Sequence, residues 1–420
     1  MFRHEILRGI DYLMSVQNAD GGIPGMRATG TSACWTTAEA LEAVLLSPYL
    51  RLTFYPHVFK MINFLLNTQI TRGPAKGAWP EYISTSNAQT LTTGHAIAAL
   101  RLSKEIVVDD AEFSQKISHA IEEGLSYLNR VQNPDGGWCI EPGDGNTESR
   151  ALSTIFVLRG YVTNEYFFGN CSAVRDGCCY LISLLDRNTG GFSKNAGEAP
   201  DTCYTARIIS ILLRAKARTK KDAIIKRALK FIYADKSLKS LFSIKHESYD
   251  SVHSAGMVIF HSNTPIDVME ALCLCDEYGK RMRKLGKWIH DSQENNGGWY
   301  LGGSPDPAIN EGVITWTTNE AVYALSCYNI AFSERYNSAL QKRVKLYGSI
   351  IITLAIIAVS LLISPVRWPA DNWFIAFWTE LPALIRKAVL GSVIGVSIVN
   401  VLSNLLFDKV KKMLNNGESQ

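Results

Sequence analysis

Two short stretches place chemically capable side chains at the start of apolar runs. One is Asp201-Thr202-Cys203-Tyr204-Thr205-Ala206, and the other is Asp250-Ser251-Val252-His253. Carboxylate, thiolate and imidazole are all ordinary zinc donors, so the residue types alone admit a metal site. They also admit a plainer use: Asp201 and Asp250 as helix N-caps, Cys203 as a small buried side chain and His253 as a hydrogen-bonded core histidine. The other thiols, Cys178 with Cys179 and Cys273 with Cys275, lack metal-ligand spacing and read as core residues. His95 reads as structural.

The elements that must position these residues repeat along the chain. The turns QNADGGI at Gln17, QNPDGGW at Gln132, DRNTGGF at Asp186 and SQENNGGW at Ser292 recur at multiples of about 55 residues, with a weaker copy around Gly77. Each turn precedes an apolar helix start: CWTTAEALEAVL from Cys34, TLTTGHAIAAL from Thr90, ESRALSTIFVL from Glu148, DTCYTARIISILL from Asp201, DSVHSAGMVIF from Asp250 and TWTTNEAVYAL from Thr315. Between them lie amphipathic segments such as FSQKISHAIEEGLSYLNRVQ. Two helices in each of six units predict an all-α fold, an (α/α)6 toroid over residues 1–335. The likeness of the first and last units implies that they pack together and close a ring. Aromatic residues at the turns and helix starts, Trp35, Trp79, Trp138, Tyr204, Trp299 and Trp316, are expected to line the mouth of a cavity for a long apolar ligand. The alternative is that they fill the core between helix layers.

Composition sets bounds on function. With 47% hydrophobic and 20% charged residues the chain is no disordered polymer. Its 43 Lys plus Arg against 39 Asp plus Glu leave too small a net charge for a nucleic-acid binder. Nine cysteines, an odd number without dense spacing, favour a reducing compartment. No cleavable signal peptide is evident at the charged, amphipathic start.

Beyond a basic linker at 336–345, the uncharged runs Leu346 to Val366 and Ala388 to Phe407 are each long enough to cross a bilayer. Gly391 and Gly395 suit close helix packing, and Trp368, Trp373 and Trp378 suit the headgroup boundary. Residues 346–407 are therefore expected to form a transmembrane hairpin with an interfacial aromatic segment. Lys and Arg are richer outside the spans than between them, which puts both ends, the tail at 408–420 and the toroid on the cytoplasmic side of an integral membrane protein.

The alternating Q-x-x-D-G-G-W turns and helices of residues 1–335 resemble the α/α toroid of terpenoid cyclases and protein prenyltransferase β subunits. In the proton-initiated cyclases of that family a D-x-D-D-T-A motif supplies the acid; here Cys203 takes that place, and a thiol is too weak an acid to protonate an alkene. The prenyltransferases carry D-x-C-Y and then D-x-x-H, and the resemblance implies that Asp201, Cys203 and His253 bind Zn2+ and activate a substrate thiol toward an isoprenoid diphosphate. The candidate substrate contacts are Tyr204 with the cavity aromatics Trp35, Trp138, Trp299 and Trp316, and Lys194, Arg207 and Arg150 as basic residues near enough to serve a diphosphate, although the family motif places none of these three. The chain departs from the family at its diphosphate loop, where Asn195 and Glu198 stand in place of basic residues. The leading expectation is thus a membrane-anchored, zinc-dependent, prenyltransferase-like transferase with an isoprenoid or other lipid ligand and a protein acceptor or partner subunit. The alternatives are a non-catalytic toroid that binds a lipid or protein and is coupled to the hairpin as sensor or effector, and an atypical terpenoid cyclase.

Overall fold

The computed structural model describes residues 2–25, 30–84, 87–143, 148–163, 165–235, 246–249, 258–261, 264–299 and 315–333. The chain divides into two compact units, Met1–Phe332 and Ser333–Gln420. The expected membrane hairpin, linker and tail lie outside the described residues. Among those that are described, no helix is long and apolar enough to cross a membrane.

Among the described residues, twelve α-helices alternate between an outer and an inner layer. The outer ones are α1 (Arg3–Ser15), α3 (Tyr55–Thr68), α5 (Ala111–Arg130), α7 (Ser172–Ser183), α9 (Ala223–Ala234) and α11 (Lys280–Asp291). The inner ones are α2 (Cys34–Leu46), α4 (Thr90–Ser103), α6 (Ala151–Val162), α8 (Thr202–Arg214), α10 (Thr264–Leu274) and α12, which covers 315–333. Outer helices are amphipathic: α5 buries Ile117, Ala120, Ile121, Gly124, Leu125 and Leu128 on one stripe and leaves its charged face in water. Inner helices are covered on nearly every side, which is why α4 and α6 are apolar almost all round.

One set of contacts builds the units. Each turn glycine has a positive φ, as at Gly136 with +89°. The glutamine ahead of it donates to the turn and to a carbonyl of the next outer helix: Gln17 to His57, Gln69 to Ala120 and Gln132 to Ala173. The aromatic residue after the turn donates its backbone N–H to an inner-helix threonine hydroxyl, as in Trp79 to Thr93, Trp138 to Thr154, Phe192 to Thr205 and Trp299 to Thr318. Two-residue β-ribbons lead into the inner helices; Phe192–Ser193 pairs with Pro200–Asp201 just ahead of α8.

The ring closes. Gln293 donates to Glu5 of α1 as its counterparts do to their neighbours, and Arg8 reaches the carbonyls of Glu294 and Asn295. On the inner layer, Thr315 donates to Pro24 and Gly25, and Asn319 to Thr36.

The fifth unit differs from expectation. Val258–His261, the end of the segment expected to be its inner helix, is a β-strand paired antiparallel with His246–Tyr249. The helix that packs on α8 is α10, fifteen residues or so further along. The local chemistry agrees: Val, Ile and Phe in succession favour a strand, and Pro265 suits the first turn of a helix, where its missing N–H costs nothing. Asp250 and His253 lie outside the described residues.

Candidate functional site

The inner-helix threonines Thr37, Thr93, Thr154, Thr205 and Thr318 mark one structural level, since each of them anchors the turn before it. Two residues beyond that level stand Glu39, His95, Phe156, Arg207 and Glu320, and α10 places Asp267 among them. Three residues further stand Glu42, Ala98, Arg159, Ser210, Glu270 and Tyr323. Residues three apart share a helix face, so six helices present two stacked rings to the axis. Much of both rings lines one central cavity of about 50 Å³.

Neighbours in the upper ring touch in sequence. Glu39 Oε1 lies 3.3 Å from His95 Nε2, and the His95 and Phe156 rings sit 4.1 Å apart. Arg207 lies over Phe156 and divides its guanidinium between Asp267, at 3.0 Å, and Glu320, at 3.4 Å. The lower ring balances its own charge. Arg159 holds Glu42 at 2.7 Å and stacks 4.1 Å from the centre of Tyr323, whose hydroxyl donates to Glu270 at 2.9 Å. Arg214, one turn along α8, completes the group with Glu270 at 2.8 Å.

The protonation of these groups follows from burial and pairing. Burial, and then the charge of Glu320, hold Glu39 well above its usual range. Burial, with Arg159 and Arg207 adding to it, holds His95 well below its usual value, so its imidazole is neutral. Burial also lifts Glu42 and Asp267 despite their arginines. Glu270 goes the other way: burial would raise it, but Arg214 and Arg159 outweigh that and hold it low. The cavity's carboxyls therefore differ: Glu39 is pushed up with no arginine bonded to it among the described residues, and Glu270 is held low by two.

The expected site residues separate. Asp201 Oδ1 accepts the N–H groups of Cys203, at 2.7 Å, and Tyr204, at 3.1 Å, and so caps α8. Cys203 is fully buried and donates its thiol to Asp267 Oδ2 at 3.1 Å. The two side chains turn to different partners, and among the described residues no group of three or more His, Cys, Asp or Glu could hold a metal ion. Tyr204 is buried behind the cap. Arg150 pairs with Glu148 at 3.7 Å at the start of α6, and Lys194 sits half-buried in the loop before α8, where Asn195 donates to Glu198. Arg207 alone of the expected basic residues reaches the axis.

The aromatic residues are also redistributed. Trp79, Trp138 and Trp299 are buried between layers, each indole donating to a carbonyl of the preceding outer helix: Leu65, Leu128 and Ile289. They bind the two layers together and do not wall a pocket. Trp35 and Trp316 meet edge to face, 6.2 Å apart, across the seam between first and last units.

No family model matches the chain. Over 188 residues, 45% of its length, it is 27% identical to drimenyl diphosphate synthase of Streptantibioticus cattleyicolor, and the match spans 32% of that protein. Type II terpene cyclase MstE from Scytonema, solved with geranylgeranyl dihydroxybenzoate, superposes with a TM-score of 0.51 at 16% identity, covering 78% of this chain and 97% of its own. The fold is the terpenoid cyclase-like α/α toroid. D-mannose isomerase, with a TM-score of 0.55 at 10% identity, shares this toroid over 79% of the chain and 98% of its own. So does an α-1,6-mannanase of Salegentibacter sp. HEL1_6, with a TM-score of 0.51 at 12% identity over 78% and 99%. The toroid therefore hosts unrelated chemistries, and its function must be argued from the two rings.

Proposed function

We propose that the toroid is an atypical terpenoid cyclase-like enzyme that acts on an isoprenoid by proton transfer at the central cavity. The observation that carries this reading is Glu39, a buried carboxyl facing the cavity with Oε2 unbonded and no arginine within hydrogen-bond distance among the described residues. Burial holds its proton more tightly than an ordinary carboxyl does, which is the direction a general acid needs. It takes up on the first inner helix a task that Cys203 cannot perform on the fourth. Proton delivery from Glu39 Oε2 to an alkene carbon makes a C–H bond from the π pair and leaves positive charge on the other carbon. Asp267 and Glu320 in the same ring oppose that charge, and loss of a proton from carbon later restores the balance. Each unit by which the Glu39 pKa is raised weakens the acid by about 1.4 kcal/mol, so slow turnover is expected. The partial likeness to a drimenyl diphosphate synthase supports the isoprenoid class.

A second reading is favoured by size. About 50 Å³ holds a few waters, whereas pockets for small-molecule ligands measure roughly 300–1,000 Å³. On that reading the toroid binds without catalysing. One experiment separates the two: full-length protein is incubated with farnesyl and geranylgeranyl diphosphate, and cyclised products are sought by mass spectrometry alongside equilibrium binding. Products lost in Glu39→Gln support the enzyme. Binding without product supports the second reading, and products undiminished in Glu39→Gln overturn the role given to Glu39.

A further inference from the structure

The lower ring and Arg214 match two carboxyls with two guanidiniums. The upper ring sets three carboxyls, Glu39, Asp267 and Glu320, against the single guanidinium of Arg207, which is already shared by Asp267 and Glu320. Beside this surplus of acid lie buried polar atoms with no hydrogen-bond partner: Glu39 Oε2, Ser210 Oγ and Asn319 Oδ1, all from residues that line the same cavity. Ser210 and Asn319 are 4% and 1% exposed. The Asn319 amide nitrogen is fixed on the Thr36 carbonyl at 3.1 Å, which leaves its oxygen as the free end. Unfilled acceptors beside excess negative charge call for a ligand that brings donors and a positive charge.

We infer that the central cavity is a binding site for a small organic monocation, a primary ammonium group, whose three N–H donors fill the positions left open by Glu39, Ser210 and Asn319. The inference goes beyond the isoprenoid reading and does not depend on it. Guanidinium is the poorer fit, because a flat fork of five donors exceeds three acceptors. A quaternary ammonium brings charge without donors. The ion takes the place of a proton: burial and the charge of Glu320 favour the protonated form of Glu39, and an ammonium beside it favours the ionised form. The other charged groups bearing on Glu39 are Glu42 of its own helix, Arg159 of α6 and Arg207 of α8, with neutral His95 of α4 at its side. Binding therefore releases one proton and strengthens with pH, by up to about tenfold per unit, until Glu39 is ionised unaided.

The test is calorimetric titration of the full-length protein with methylammonium chloride in two buffers of different ionisation heat, with tetramethylammonium and sodium chloride as controls. Expected are saturable methylammonium binding with release of about one proton, affinity that rises with pH, and no saturable binding of either control. Glu39→Gln should lose at least about tenfold in affinity. Ser210→Ala, which breaks no existing bond, should lose roughly fivefold and keeps the test decisive if the glutamine variant does not fold. Equal binding of sodium, no proton release, or affinity unchanged in Ser210→Ala would overturn the inference. So would no methylammonium binding at all, the result if the cavity holds only water.

Discussion

Gln293, at the end of the last outer helix, donates its side-chain amide to the Glu5 carbonyl of the first at 2.8 Å. Its counterpart inside the ring, Gln132, makes the same bond to Ala173 at 3.1 Å. The seam is thus assembled from the same part as the joints at Gln17, Gln69 and Gln132, although it spans nearly the whole length of the toroid sequence. A ring held this way should unfold as one body, whereas an open solenoid would fray from its ends.

The first prediction concerns that seam. Gln293→Ala should cost about 1–2 kcal/mol, and so should Gln132→Ala. Gly297→Ala should cost more, because φ is +94° there and an added Cβ would lie 2.3 Å from the Arg8 carbonyl oxygen. Denaturant midpoints of the three variants give the comparison. A harmless Gln293→Ala beside a damaging Gln132→Ala would mean that the ends do not support each other.

The second prediction separates capping from metal binding at Asp201. Its Oδ1 satisfies two N–H groups at the start of α8, so Asp201→Ala should destabilise the fold by about 0.5–2 kcal/mol and Asp201→Asn by much less. A cap tolerates asparagine, and a carboxylate ligand to zinc does not. Thermal melts of both variants, with metal content measured by mass spectrometry, decide between the roles. Zinc present in the native protein and lost in Asp201→Asn would restore the metal.

The third prediction is a pair of opposed pH slopes. Glu39 has its folded pKa raised above the ordinary 4.5, so its share of stability is complete below pH 4.5 and is lost as pH rises toward the folded value. His95 has its folded pKa depressed below 6.5, so its share is complete above pH 6.5 and is lost as pH falls toward the folded value. Relative to the native protein, Glu39→Gln should flatten the loss on the alkaline side, and His95→Gln the loss on the acid side. Each slope is at most about 1.4 kcal/mol per pH unit. Denaturation curves collected from pH 5 to 8 test both, and a glutamine variant that keeps its slope would remove that residue as the source.

The helical repeat was legible because its signals are local. A glycine with positive φ, an aromatic after it and a threonine at the inner-helix start recur in the chain, and each corresponds to a contact that rebuilds the unit. The fifth unit is hard to read because Asp250 offers an apparent cap, while Thr264-Pro265 has no Gly-Gly turn ahead of it. The site was harder. The conspicuous residues stand at the helix starts, Asp201 and the tryptophans, yet they are consumed by capping and interlayer packing. The axis is reached one half-turn later. The signal is a charged residue two places after three of the five threonines, Glu39, Arg207 and Glu320, in helices that are otherwise largely apolar. Its meaning depends on six helices converging, which no single segment reveals.

Because the two ends of the ring meet as ordinary neighbours, no unit is inherently first. Phe2 and Tyr328 already meet edge to face with ring centres 5.4 Å apart. Joining them with a short flexible bridge and opening the chain at the exposed turn near Gly73 should yield a permuted protein with the same architecture. The order in which this chain is written is then a matter of its history, while the shape records only who sits beside whom.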